Sequence, residues 1–168
     1  MQYTRFIKDK NEKIEALEIQ NFEEKKHIVF PESYRLFLLE TNGGTPLKPF
    51  VNLYPIDPQY GINEDPNELE VSKFLSLTEV KEALHNLQKY TYAQDTPLPF
   101  ATRVAIEKEN YYQKNLIPIA ECYNDLIFID TGELSYGSVV FNNYDFGYLL
   151  LAKLLAEFFE ICYEDSLE

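Results

Sequence analysis

Two hydrophobic rhythms run along this chain. Apolar residues fall three and four apart in its early and middle parts, while the later parts carry short continuous apolar runs. The helical rhythm begins at residues 10–24, where Ile14, Leu17 and Phe22 point to one side and predict a first helix. A sharper unit follows, from Phe30 to Gly44. Pro31 suits a first helical turn, where its missing N–H has no intrahelical partner. Tyr34, Phe37, Leu38 and Thr41 then follow at the spacing of one helix face. Asn42 and Gly43 can take the left-handed conformation that caps a C-terminus, and Gly44 loosens the exit.

Residues 49–57, including Phe50, Val51, Leu53 and Ile56, read as a strand. Residues 57–70 read as an acidic loop, and 71–77 as a short returning strand. Ser76 and Glu79, three apart, have the spacing of a capping box. They predict a third helix through Val80, Leu84 and Leu87 to about residue 90. Pro97 and Pro99 interrupt the pattern that follows, and residues 91–115 give no clear rhythm. Three strand candidates then arrive together, at 116–120, 126–130 and 138–141. Asn124-Asp125 and Gly132-Glu133 mark the turns between them, which predicts an antiparallel meander. The last element reads as a helix over 144–163. Its polar stripe would hold Lys153, Glu157, Glu160 and Glu164, and its apolar face Leu150, Leu151, Leu154, Leu155, Phe158 and Phe159. The expected fold is α+β: a single domain over 1–168, a mainly antiparallel sheet covered by helices, with helices at both termini.

Composition supports a folded chain, with 45% apolar and 15% aromatic residues among 168. Charge changes the picture more. The net charge is −13, and it is unevenly placed. Residues 1–56 balance 8 basic against 8 acidic side chains, whereas 57–70 hold five acids and no base. Residues 115–168 hold 10 acids against Lys153 alone. Such a surface repels nucleic acid and acidic lipid and speeds encounter with a basic protein, unless it serves solubility alone. Neither nucleic acid nor membrane is therefore an expected partner. The N-terminus lacks an apolar signal core, and no apolar run approaches bilayer length. Cys122 and Cys162 have no metal-type spacing and read as reduced, partly buried thiols of a cytoplasmic protein.

The search for catalytic chemistry is nearly empty. The six glycines cannot build a dinucleotide fingerprint or a phosphate loop. His27 and His85 belong to no metal motif, and Cys122 precedes a hairpin turn rather than a nucleophile elbow. Residues 57–70 lack the spacing and central glycine of a calcium loop. No cofactor, metal or catalytic residue is expected. Thirteen tyrosines suggest contact surface, although most are expected to line the rim of the core with their hydroxyls in water.

Taken in order, the Pro31-Glu32-Ser33-Tyr34 helix, Asn42-Gly43-Gly44, Ile117-Pro118-Ile119-Ala120 and Gly137-Ser138-Val139-Val140-Phe141 form a pattern. The chain resembles the SUKH superfamily, which includes the Smi/Knr-type cell-wall-assembly regulators of yeast and many bacterial relatives, over roughly residues 12–162. It departs from that pattern in having no tryptophan, and Phe30 where leucine is usual. The resemblance implies a non-enzymatic protein-binding domain. Bacterial members look like immunity proteins that neutralise polymorphic toxins, often nucleases, by direct binding. A basic toxin domain would fit the charge. The contact residues expected from charge and exposure are Glu64, Asp65, Glu68, Glu70, Asp125, Glu133 and Tyr136. A regulatory or scaffold protein of cell-wall or stress signalling is the alternative, and a hydrolase using Asp57 and Asp130 a third. Exposed strand edges and aromatics leave a homodimer open.

Overall fold

Four strands that follow one another in sequence pair as successive hairpins, and a fifth, separated from them by a helix, completes the central sheet. A computed structural model describes residues 1–53, 67–88, 115–122, 125–143 and 147–164. A 3₁₀ turn at Tyr3–Arg5 precedes β1 (Ile7–Lys8), α1 (Ala16–Lys26), α2 (Glu32–Thr41), β2 (Thr45–Pro46) and β3 (Phe50–Leu53). Then come β4 (Asn67–Glu70), β5 (Lys73–Phe74), α3 (Leu77–Gln88), β6 (Leu116–Cys122) and β7 (Asp125–Asp130). The described elements end with β8 (Val139–Asn143), β9 (Gly147–Ala152) and α4 (Leu155–Ile161). The sheet runs β5-β6-β7-β8-β9, antiparallel throughout, and β1-β2 and β3-β4 form two-stranded sheets beside it. The architecture is α+β, with helices near both ends. Pro118 lacks a ladder donor and sits at the register shift between Pro118 and Ala120, where a sheet interior can accept it.

One face of the sheet, bearing Ile117, Ile119, Ile127, Ile129, Val139 and Phe141, belongs to the main core. Leu116, Phe128 and Val140 alternate with these residues and form a small second cluster with Leu126 and Tyr148. The main core is strongly aromatic. Phe37 lies 5.3 Å from Phe74 and 5.7 Å from Phe159, centroid to centroid, and Phe74 lies 4.9 Å from Phe159. Thus α2, β5 and α4 meet through closely packed aromatic rings, one pair stacked and two tilted.

The predicted α2 unit is observed with Tyr34, Phe37, Leu38 and Thr41 buried and Asn42 left-handed at its C-cap. The glycines after it do more than loosen the exit. Gly43 has φ +84°, and a Cβ there would stand 2.6 Å from the Phe74 carbonyl oxygen. Gly44 exchanges backbone hydrogen bonds with Phe74, at 2.9 and 2.8 Å. Asn42 completes the junction: its Oδ1 accepts from the Leu77 N–H at 3.0 Å and its Nδ2 donates to the Glu12 carbonyl at 2.8 Å. One residue therefore ends α2 through its backbone, and through its side chain caps α3 and holds the segment before α1. The capping box of α3 is also present, with the Ser76 N–H donating to Glu79 at 2.8 Å.

Three expectations need correction. Residues 147–163 are not one helix: Gly147–Ala152 is strand β9, paired with β8, and α4 is short. A continuous Tyr-Leu-Leu-Leu run satisfies either structure, and Gly147 with a paired neighbour decides for the strand. Leu150 and Leu154, expected inside, are 37% and 50% exposed. The first helix starts at Ala16 and buries Ile19 and Phe22, while Leu17 is 60% exposed. The end of the acidic loop is a strand, since Asn67–Glu70 pairs with β3 and buries Leu69 between Glu68 and Glu70. Tyr3 joins Tyr34 in the core. The readings made for 54–66 and 89–114 fall outside the described residues.

Candidate protein-binding surface

The hairpin order places connections alternately at two rims of the sheet, and the candidate contact residues divide between them. At one rim, β5 pairs Lys73 with Glu121, and β6 pairs Cys122 with Asp125. Ser72 donates both its N–H and its hydroxyl to the Glu121 carbonyl, each at 2.9 Å, which brings the end of β4 alongside. Glu70, Glu121 and Asp125 thus share an acidic rim, with Glu68 two residues further back on β4. Strand alternation points Glu68 and Glu70 away from buried Leu69. The Tyr163 hydroxyl donates to Glu68 at 2.7 Å, and the Tyr163 and Phe50 backbones bridge, so the chain's end braces this hairpin.

Lys73 is the basic group of this rim. Its ammonium lies 2.6 Å from Glu79 and 3.8 Å from Glu121. The hydrogen bond to Glu79 holds Lys73 above the usual lysine range, burial opposing and Glu121 and Glu82 assisting. Burial pushes the Glu79 carboxyl up, but hydrogen bonds from Lys73 and Ser76 outweigh it and leave Glu79 below the usual range. Burial and then the Asp125 charge push the Cys122 thiol up to about 12. Burial likewise pushes Cys162 up to about 12, Lys48 opposing. Thiols so placed stay protonated and are poor nucleophiles at neutral pH.

The opposite rim holds the β7–β8 connection, and Asp130 builds it. Fully buried, Asp130 accepts from the Gly132 N–H at 2.7 Å and from the Ser135 hydroxyl at 2.5 Å. Its carboxylate is engaged in holding the turn. Thr131 fastens the turn to the Asn115 carbonyl through its N–H at 2.9 Å and its hydroxyl at 2.7 Å. The frame presents Glu133, Leu134 and Tyr136 outward, Leu134 at 84% exposure. Gly137 comes next with φ +88°, its open side facing Pro31 and Leu154.

Tyr136 therefore stands beside the start of α2. Partial burial holds its hydroxyl above the usual tyrosine range, Arg35 opposing and Glu23 and Glu32 reinforcing. Arg35 grips Glu23 in a two-pronged pair, Nε to Oε1 at 3.0 Å and a terminal nitrogen to Oε2 at 2.5 Å. Glu23 is nearly inaccessible and also accepts from the Phe30 N–H at 2.5 Å. Arg35, Val29 and His27 line a shallow pocket of about 390 Å³ between α1 and α2. Tyrosine and arginine side chains held on a fixed frame are the residue types enriched among interface anchors.

The sequence-selected residues thus form two groups. Glu68, Glu70 and Asp125 belong to the acidic rim, Glu133 and Tyr136 to the aromatic one, and Glu64 and Asp65 lie outside the described residues. Sequence reasoning missed Glu121, Arg35, Leu134 and Leu154. For Glu121 the strand register would have been the signal. Arg35 depends on a pairing across 12 residues that no local pattern announces. Among the described residues no cluster of His, Cys, Asp or Glu could hold a metal ion. No helix among them is long and apolar enough to cross a membrane.

Among the described residues, a frame of hairpins, with Asn-Gly-Gly locking a proline-opened helix to it, presents an acidic rim and an opposite rim bearing Tyr136 and Leu134. That architecture has a family: residues 13–161 match the SMI1/KNR4 family (SUKH-1), and the chain belongs to it. The match covers all the described elements from α1 to α4. No curated protein matches the chain significantly.

Proposed function

We propose that this chain is a non-enzymatic protein-binding domain, one unit over its whole length, that acts in the cytoplasm as an immunity protein. Its ligand would be a basic toxin domain, a nuclease being the best chemical fit. Family membership supports the class of function, and the acidic rim carries the partner's chemistry. Glu68, Glu70, Glu121 and Asp125 lie on paired strands, so their charges are displayed at fixed positions. Preset charge raises the association rate and rejects like-charged partners. On this reading the toxin's phosphate-binding surface meets the acidic rim, and Tyr136, Leu134 and Leu154 provide apolar anchorage at the other.

The test is to isolate what co-purifies with the tagged protein from its native host at low and high salt. One dominant partner with a basic C-terminal toxin domain, released by salt and lost in a Glu70→Lys/Asp125→Lys variant, supports the reading. Several signalling or cell-wall proteins with no toxin among them would overturn it. The opposite rim, where exposed Leu134 and Tyr136 accompany Glu133, favours that regulatory alternative, and Tyr136→Ala would then remove the partners.

A further inference from the structure

The rest of the surface contains a feature opposite in sign to the protein. A groove of about 520 Å³ lies between α1 and α3, and Lys25, Lys26 and Lys81 line it together with His85. We propose that this groove binds a compact anion carrying two or more phosphoryl groups. The inference is independent of the immunity reading.

Charge distribution is the first argument. The chain has 28 acidic and 15 basic side chains, so a lysine has many acids to choose from. Yet none of these three ammonium groups makes an ion pair with a described residue, whereas Lys73 and Arg35 do. Glu18 is the one carboxylate in the lining, and it accepts from the Glu15 N–H at 3.1 Å within the α1 capping box. Lys81 and His85 are four apart on α3 and so stand on one face, opposite the last turn of α1. Three ammonium groups set against one carboxylate leave an excess of positive charge, and a bound anion offsets it.

Geometry narrows the ligand. Buried Phe22 forms an apolar part of the lining, and the Asn21 amide can donate beside the lysines. The volume is that of a small-molecule site. Beyond the groove both helices turn acidic, with Glu15 and Glu24 on or next to α1 and Glu79 and Glu82 on α3. A long polyanion or an acidic peptide would run from the lysines onto these carboxylates. A compact one keeps its charge within the roughly 8 Å over which the lysines act at physiological ionic strength. Lysine binds phosphate as a point charge and needs no planar fork.

Inorganic triphosphate titrated into the whole ¹⁵N-labelled protein at physiological ionic strength tests this, with sulfate, ATP and octaglutamate in parallel. Saturable shifts confined to α1 and α3, at a Kd below about 1 mM, are expected. Equal shifts with ATP would assign recognition to the phosphates alone, and tighter ATP binding would place a nucleoside in the groove as well. Lys25→Gln/Lys81→Gln should weaken triphosphate roughly tenfold or more while leaving the melting temperature unchanged. No saturation, sulfate as effective as triphosphate, a double variant that binds normally, or octaglutamate binding more tightly would each overturn the proposal.

Discussion

Replacing Asn42 separates three roles that one residue holds together. Its backbone is left-handed, with φ 46° and ψ 45°, and its side chain satisfies a buried donor at the start of α3. Asn42→Ala forces a Cβ-bearing residue with no local hydrogen bond into that conformation, at about 1 kcal/mol. It also leaves the buried Leu77 N–H without an acceptor, at about 1–3 kcal/mol. The total expected loss is about 2–4 kcal/mol, a large part of a small domain's stability. Asn42→Gly relieves the backbone term and keeps the missing acceptor, so it should cost about 1–3 kcal/mol. Asn42→Asp keeps an acceptor for Leu77 but loses the donor to Glu12, and it should fall between wild type and glycine. Urea titration followed by circular dichroism gives the three values, and hydrogen exchange at the Leu77 amide reports the cap directly. An alanine variant within about 0.5 kcal/mol of wild type would refute the reasoning. So would a glycine variant as stable as the natural protein, since the motif would then be backbone geometry alone.

Gly43→Ala meets both a positive φ and the Phe74 backbone 2.6 Å away, and should cost at least about 2 kcal/mol, seen as a large fall in Tm. Tyr34 is wholly buried, its hydroxyl without a partner among the described residues, and burial holds its ionisation far above the usual range. Tyr34→Phe is therefore expected to be neutral or to stabilise by about 1 kcal/mol in urea unfolding, and a loss above that would contradict the assignment. Because the Glu79 pKa is lowered on folding, its contribution is present above the ordinary carboxylate range and lost as pH falls through the lower, folded value. Glu79→Gln should flatten the acid limb of the stability–pH curve, and an unchanged limb would count against the Ser76-Glu79-Lys73 link. For the proposed interface, Glu121→Lys is expected to weaken toxin binding through a slower on-rate at low salt, read by stopped flow.

How much of this was legible depended on how local the signal was. α2 and the start of α3 were readable because Pro31, Asn42-Gly43 and Ser76-Glu79 are end signals written within a few residues of the helices they bound. The meander was readable because its strands are neighbours in sequence. β4 was hidden because Leu69 is the lone buried apolar residue between two glutamates, too little for alternation to show. β9 was hidden for the opposite reason, since Tyr148 to Ala152 is apolar at every position and carries no period. The surface followed the same rule. Glu133 and Tyr136 share a turn, so their proximity was visible. The partnership of Tyr136 with Arg35, and of Lys25 with Lys81, spans distant segments that only the fold brings together.

The strand order has an evolutionary consequence. When consecutive strands are neighbours, a connection at a rim can lengthen, shorten or change composition without moving any strand past another. Asp130 and Asn115 hold the base of one such connection while its tip remains open to change. An arms race with a changing opponent could then be fought by rewriting rim loops one at a time, leaving the aromatic interior and the Asn42 junction untouched. On the proposed immunity reading, sequence drift should run fastest in those loops and slowest in the glycines of the Asn42 junction.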